Sequence, residues 1–475
     1  MSLKVVKNLE SSIDNSNREL LKTIGKIAAD VGVEVYAVGG FVRDFFLKKA
    51  VKDIDFVVVG DGIAFAKLVG GRLNSNRVAV YKKFGTAMVG IEDYELEFVG
   101  ARKESYRGDS RKPAVEPADL MADLARRDFT INAMALSLQK DSFFDLVDPF
   151  HGKKDLRARI IRTPLDPEVT FADDPLRIMR AIRFSAQLKF DIEEKTKAAI
   201  SATADRLKII SQERITDEFI KIISVIKPGK SFFLMDELRV LPQFLPEFSK
   251  LKGVDEKDGY AHKDVFSHTL KVLDNISEKT DKTELRLAAL FHDIAKPQTK
   301  KFVEGKGWSF HGHEELGARM IPRIFKNLRL PRDWQNYVQK LTRLHLRPIA
   351  LTEEECTDSA YRRLLFQAGG DLEDLLTLCR ADITSRNAQR RKKYLQNFEF
   401  VIQRLNDVEA KDKMRSFQSP VRGTEIMEIC GIQPGRMVGK IKNRIEEAIL
   451  DGEIENDYEA AKKYLLAIKD EFVTE

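Results

Sequence analysis

Cysteine is scarce in this chain: three residues in 475, Cys356, Cys379 and Cys430, far apart and in no metal-type spacing. That excludes a disulfide framework and a cysteine-built zinc site, and it suits a reducing compartment. No apolar run approaches the roughly 20 residues that cross a bilayer, so no membrane partner is expected. The opening stretch MSLKVVKNLESSIDNSNREL has no continuous apolar core of the kind a secretory signal carries, and the expected location is the cytoplasm. A large excess of one charge is missing as well. Eighty basic against 74 acidic residues leave +6, which does not by itself mark a nucleic-acid partner, so local clusters carry that argument. Histidine is rare, with seven residues, which makes its placement informative. The length is too great for one core, and about two to four domains are expected.

What is present is organised around residues 35–59, VYAVGGFVRDFFLKKAVKDIDFVVV. The apolar run Val35 to Val38 predicts a buried strand. Gly39 and Gly40 end it and let a phosphate approach the backbone with no side chain in the way. Phe41 to Lys49 reads as a short helix carrying Arg43 and Asp44. Asp53 to Val59 predicts a second strand, in which Asp53 and Asp55 share one face and Ile54 and Phe56 the other. Two carboxylates one pleat apart at the head of an apolar strand are costly unless a cation neutralises them. A pair of Mg²⁺ ions on a nucleotide's phosphates would do so.

Around this stretch, residues 17–31 predict an amphipathic helix, and residues 60–71 a turn and a helix. Residues 78–81 and 86–89 predict paired strands. Glu95 to Val99 alternates acid with apolar residue, so Glu95 and Glu97 share a face, either as a third carboxylate near the pair or as acids that keep an edge strand soluble. Residues 102–119 are polar and broken by Pro and Gly, the pattern of a mobile loop near the site. Residues 126–135, RRDFTINAMA, read as a helix beginning: Arg126 and Arg127 can reach a triphosphate, Asp128 a ribose hydroxyl, and Asn132 lies one turn on from Asp128. Residues 148–156 predict a turn and a helix start. Ile200, Ala204 and Leu207 fall on one face of a single predicted helix, and a further helix is expected to carry Phe219, Ile222 and Ile223.

The ordered motifs GGFVRD, DID, RRDFTINAMA, DPFHGKKDL and DDPLRIMRAIRF resemble the class II tRNA nucleotidyltransferases, a family that includes CCA-adding enzymes and bacterial poly(A) polymerases. The resemblance covers about residues 20 to 245. It implies an α+β architecture: a polymerase-beta-like mixed sheet with helices, then all-helical domains. It also implies that Asp53 and Asp55 hold the Mg²⁺ ions and act as catalytic residues. Arg126, Arg127 and Asp128 would take the triphosphate and sugar, with Gly39, Gly40, Arg43, Asn132 and Arg180 completing the nucleotide site. In the motif DDPLR, Pro175 is expected at the first helical position, and Asp174 and Arg177, three apart, share a face. A carboxylate accepting from an exocyclic amine and a guanidinium donating to a ring nitrogen fit cytosine and adenine and reject guanine and uracil. Asp173 stands where the family usually has Glu.

Six of the seven histidines fall between His262 and His345: His262, His268, His292, His311, His313 and His345. With Asp293 and Asp382 they make an order H…HD…D that resembles the HD metal-dependent phosphohydrolase superfamily. The resemblance implies metal ligation by His268, His292, Asp293 and Asp382, with His313 and His345 supplying a second metal. Imidazole and carboxylate together suit a divalent transition metal such as Mn, Fe, Co or Ni. Beyond it, Arg386, Arg390, Arg391, Lys392 and Lys393 form a basic run, and residues 431–440 resemble a helix–hairpin whose amides and Lys440 can meet a phosphate backbone.

These readings divide the chain into a catalytic head at 1–160, a helical base- and RNA-binding segment at 161–250, an HD domain at 251–385 and a helical tRNA-binding tail at 386–475. The expected activity is template-independent addition of CCA to the 3′ end of tRNA from CTP and ATP by two-metal chemistry. Poly(A) synthesis, or addition of A or CC alone, remains open within the family. An HD phosphohydrolase with an RNA-binding N-terminal module is the alternative of another class.

Overall fold

The computed structural model describes every residue except 1–4, 7, 8, 10–14, 83, 84, 106–113, 259, 262, 263, 353–355, 386, 413, 415, 416, 474 and 475. His262, Arg386 and the middle of the predicted loop at 102–119 therefore lie outside the described residues. The chain forms two compact units, Met1–Val225 with Lys230–Pro246, and Ile226–Gly229 with Glu247–Glu475.

The first unit is built on a mixed sheet. Its strands are β1 (Val5–Val6), β2 (Glu34–Val38), β3 (Asp53–Val59), β4 (Val78–Tyr81), β5 (Thr86–Ile91) and β6 (Tyr94–Gly100); β7 (Arg102–Ser105) and β8 (Ala114–Pro117) form a separate hairpin, and β9 (Ala135–Ser137) and β10 (Leu146–Val147) return to the sheet. The order is β1-β10-β9-β2-β3-β6-β5-β4, with β3 and β6 parallel and the other described pairs antiparallel. Alternation along β3 separates two layers. Ile54, Phe56 and Val58 face one core with α1 (Asn15–Asp30), α2 (Gly40–Phe46) and α3 (Gly62–Arg72), through Leu21, Ile24, Phe41 and Phe65. Phe56 stacks on Phe98 at 4.7 Å there; truncating either ring to Ala removes about 3–5 kcal/mol. Val57 faces the other layer with Leu120 and Leu124 of α4 (Leu120–Ala125). Asp53 and Asp55 lie on that second side, at the open end of β3.

Four expectations are corrected. Residues 102–119 are not a plain loop, since Arg102–Ser105 pairs with Ala114–Pro117. Residues 126–135 do not begin a helix. Helix α4 ends at Ala125, a 3₁₀ turn spans Thr130–Asn132, and β9 follows. Ile131, Ala133, Met134, Ala135 and Leu136 are all fully buried, a demand that a one-faced helix does not meet and a buried turn leading into a buried strand does. Helix α8 (Glu194–Thr203) stops short of the expected helix and a 3₁₀ turn takes over at Ala204–Ile209, although Ile200, Ala204 and Leu207 are buried. Pro175 occupies the position before α7 (Leu176–Leu188) rather than its first turn. Helices α5 (Gly152–Ala158), α6 (Pro167–Asp173) and α9 (Gln212–Ile223) complete the part that bears on the site.

The second unit is mainly helical. Helices Val265–Ser277, Thr283–Phe291, His313–Asn327, Arg332–Leu344 and Leu372–Asp382 carry the histidine cluster, and Ala388–Asp412, Gly423–Cys430, Arg436–Asp451 and Tyr458–Val473 follow. Among the described residues no helix is long and apolar enough to cross a membrane.

Candidate active site and metal centre

The turn between β2 and α2 makes the first site. Gly39 sits at φ 70° and ψ −131°, a conformation that disfavours any side chain. A Cβ on it would lie 3.0 Å from Nη1 of Arg127 and 3.3 Å from Oδ2 of Asp55, so the missing side chain leaves a guanidinium and a carboxylate side by side. One on Gly40 would meet Nη2 of Arg43 at 3.7 Å. Asp53 is exposed and Asp55 half-buried. Burial raises the Asp55 carboxyl, Arg127 opposes the rise, Asp53 adds to it, and Arg180 and Arg43 oppose it. The parallel register places Glu95 opposite Asp53 and Glu97 opposite Asp55. Glu97 is raised too, by burial and then by Asp55. Carboxylates crowded at the end of one strand pair, with a buried member resisting ionisation, are the oxygen donor set that hard divalent cations take; the residues fit Mg²⁺.

A hydrogen-bonded chain leads away from the acids. Nη1 of Arg43 donates to Oδ1 of Asn132 at 3.0 Å, Nδ2 of Asn132 donates to Oδ1 of Asp128 at 3.0 Å, and Nε of Arg180 donates to Oδ2 of Asp128 at 2.8 Å. Asp128 is buried, which alone would raise its carboxyl, but Arg180 and Asn132 hold it below the usual range. Asp128 and Asn132 thus meet as the sequence spacing suggests, through the 3₁₀ turn rather than a helix. Arg126 and Arg127 both rest on Asp123, which is fully buried, at 2.5 and 3.0 Å. The guanidinium of Arg177 donates to the carbonyl of Arg126 and, at 3.5 Å, to that of Thr170. Asp174 accepts from the Leu176 amide at 3.1 Å and from Arg214 at 3.2 Å. Asp173 is the last residue of α6.

The structure therefore gathers Gly39, Gly40, Arg43, Asp53, Asp55, Arg127, Asp128, Asn132 and Arg180, joins Arg177 to Arg126 through one carbonyl, and sets Asp174 against Arg214. Asp123 and Arg214 were not singled out from the sequence. An acid four residues before an arginine reads as a solvated helical ion pair, and Arg214 is forty residues from Asp174.

The second unit holds a second centre. His268, His292 and Asp382 present donor atoms within 4.8 Å of one another, and Asp293, His313 and His345 do the same. Nε2 of His268 lies 2.8 Å from Asp382 Oδ1, Nε2 of His292 3.3 Å from Asp293 Oδ2, and Nε2 of His313 3.2 Å from Asp293 Oδ1 and 3.3 Å from Nε2 of His345. The helix ends orient the rings. Nδ1 of His292, His313 and His345 donates to the carbonyls of Ala289, Phe310 and Thr342 at 2.8, 2.8 and 2.7 Å. A carbonyl only accepts, so each Nδ1 holds its proton and each Nε2 turns inward. With no cation bound, burial works to lower His292 but Asp293 and Asp382 raise it to about 10, so that a metal there would displace its second proton. Thr384 lies 3.0 Å from Nδ1 of His268. Burial, reinforced by His292, pushes His345 down to about 3, which keeps its imidazole neutral. Nε2 of His292 and Oδ1 of Asp293 are buried without a hydrogen-bond partner. Buried ligand atoms left over in this way, one in each of the two groups, fit two divalent cations. His311 is exposed and outside the cluster. Lys296, which sequence reasoning passed over, donates to Asp293 at 2.7 Å and lines a cavity of about 420 Å³ with His268, Phe310, Thr384 and Tyr394.

A mixed sheet presenting paired carboxylates under an arginine array, followed by helices and a histidine–aspartate centre, defines a nucleotidyltransferase joined to an HD module. The family described as "Poly A polymerase head domain" matches residues 35–162, "Probable RNA and SrmB- binding site of polymerase A" residues 189–251, and "HD domain" residues 265–387. A multifunctional CCA protein of Nitrosococcus oceani is 33% identical over 77% of this chain and 88% of its own length. An A-adding tRNA nucleotidyltransferase of Halalkalibacterium halodurans is 36% identical over 49% of this chain; the match spans about half, 55%, of that relative. A solved CCA-adding enzyme in an apo form shares the fold over 98% of this chain and 100% of its own, with a TM-score of 0.66 at 24% identity. The chain belongs to the tRNA nucleotidyltransferase family of CCA-adding and A-adding enzymes.

Proposed function

We propose that this chain adds CCA to the 3′ end of tRNA, using CTP and then ATP without a nucleic-acid template, in the cytoplasm. The observation that carries the reading is the convergence of Asp53, Asp55 and Arg127 at the side-chain-free turn of Gly39. Asp53 and Asp55 would hold Mg²⁺. Bound there, the ions neutralise charge on the triphosphate and lower the pKa of the attacking 3′-hydroxyl. Arg43, Arg127 and Arg180 supply fixed positive charge where the α-phosphate is attacked and pyrophosphate leaves. Asp128, oriented by Arg180 and Asn132, offers a carboxylate to a sugar hydroxyl. Arg177 links the base-reading segment to Arg126, so discrimination and phosphate binding share one hydrogen bond. The relatives named for A addition keep a narrower version open, in which ATP alone is incorporated.

The test is incubation of the pure protein with tRNA lacking CCA, with each NTP singly and with CTP plus ATP. Three added nucleotides with CTP plus ATP support full CCA addition. One nucleotide from ATP, on tRNA already ending in CC only, marks an A-adding enzyme.

A second reading belongs to the second unit and rests on the buried, partnerless Nε2 of His292 and Oδ1 of Asp293. It is a metal-dependent phosphohydrolase for phosphate esters at nucleotide or RNA ends. His268, His292 and Asp382 would hold one divalent transition metal, and Asp293, His313 and His345 another. The pair, when bound, supplies a hydroxide nucleophile at neutral pH. Lys296, bonded to Asp293, lines the cavity beside this centre and offers positive charge to a phosphate ester.

A further inference from the structure

The arginines of the nucleotide site share an aromatic anchor. Phe184, on α7, is buried at 6% exposure, and three guanidinium carbons lie over its ring: Arg43 at 5.1 Å, Arg180 at 5.4 Å and Arg183 at 4.3 Å from the centroid. Such contacts occur about once per 70–80 residues, so three on one ring are a local concentration rather than background. Each cation also keeps its own carboxylate: Arg43 with Asp44 at 2.6 Å, Arg180 with Asp128 at 2.5 Å and Arg183 with Glu218 of α9 at 2.5 Å. The ring is fixed in turn. Phe129 meets it edge-on at 5.8 Å and 84°, and the amide of Phe129 donates to Asp128 at 2.8 Å.

We propose that Phe184 is a positioning residue for nucleotide binding: its π face gathers Arg43, Arg180 and Arg183 from two helices and presets the cationic wall that receives the triphosphate. The inference rests on the nucleotidyltransferase reading above. Like charges this close repel. Asp44 grips Arg43 with both oxygens, but Asp128 meets Arg180 through one oxygen and Glu218 meets Arg183 through one nitrogen, which leaves those two planes less fixed by their carboxylates. The negative face of a desolvated ring eases the repulsion and holds the planes, and it offers nothing to the substrate itself. Arg183, which the sequence did not mark, joins the array through this ring, with Glu218 closing its outer side.

The test replaces Phe184 with its 4-fluoro, 3,4,5-trifluoro and pentafluoro analogues, which drain the ring's negative face and nearly preserve its volume. Calorimetry reads the Kd for CTP and for ATP, and thermal melting reads the fold. The expected result is a stepwise rise in Kd with fluorine number, reaching roughly tenfold, at unchanged melting temperature. Phe184→Leu, apolar but without a π face, is expected to match the pentafluoro variant, and Phe184→Tyr to restore binding. A Kd indifferent to fluorination overturns the proposal and leaves Phe184 as packing. Wild-type protein that binds CTP but extends no tRNA overturns the functional reading and leaves the fluorine series decisive for the ring. Wild-type protein that binds neither nucleotide overturns both.

Discussion

At the scale of single residues, the site depends on buried acids that hold arginines. Asp123 carries Arg126 and Arg127 and is fully buried. Removing one partner from a buried pair typically costs about 3–5 kcal/mol, because the remaining charge is left uncompensated. Asp123→Ala is therefore expected to lower stability by about that amount, read by denaturant unfolding, and to raise the apparent KM for nucleotide. Asp128 gives a pH signature. Its carboxyl is held below the ordinary value of 3.8 in the folded protein, so its contribution is full above that range and lost as pH falls through the folded value. The stability gap between wild type and Asp128→Asn should be widest at neutral pH and narrow below about pH 4; a gap that widens in acid contradicts the assignment. For base choice, Arg177→Ala should lose discrimination or all activity, since Arg177 bridges to Arg126, while Asp173→Ala should be milder. Incorporation of each of the four NTPs decides this, and unchanged CTP and ATP rates with UTP and GTP still excluded would count against it.

At the scale of elements, the strand–turn–helix of β2 and α2 was legible because each signal is local. An apolar run, two glycines and a period-2 pair of acids need no partner to be read. Gly39→Ala tests how far function depends on that turn. At φ 70° the new side chain costs about 1–2 kcal/mol of strain and its Cβ crowds Arg127 and Asp55. Activity is expected to drop at least about tenfold with a lowered melting temperature. Elements set by tertiary context were misread. RRDFTINAMA looks helical by spacing, yet its second half is buried all round and passes through a 3₁₀ turn into the strand that begins at Ala135. The hairpin of β7 and β8 hides in a polar stretch because it carries no apolar alternation. Arg214 and Glu218 reach the site across thirty-five to forty residues of sequence, and only folding reveals such pairings. The histidine cluster was legible for the opposite reason. Seven histidines in the chain, six within one stretch, is a composition that packing alone does not explain.

At the scale of the molecule, two compact units hold two separate clusters, strand carboxylates under arginines in the first and imidazoles with carboxylates in the second. Their chemistry separates in experiment. Mn²⁺, Co²⁺ or Ni²⁺ should be retained by wild type and lost in the double variant His292→Ala/Asp293→Ala, with nucleotide addition preserved; metal analysis of both proteins checks this, and equal metal content would leave the histidines without that role. The central claim concerns the first unit. The most direct measurement is incorporation of radiolabelled CTP and ATP into tRNA lacking its 3′ CCA, comparing wild type with Asp53→Ala and Asp55→Ala. The account predicts extension by wild type and none above background in either variant, with both variants folded by thermal melting. Turnover near wild type in either one would contradict it.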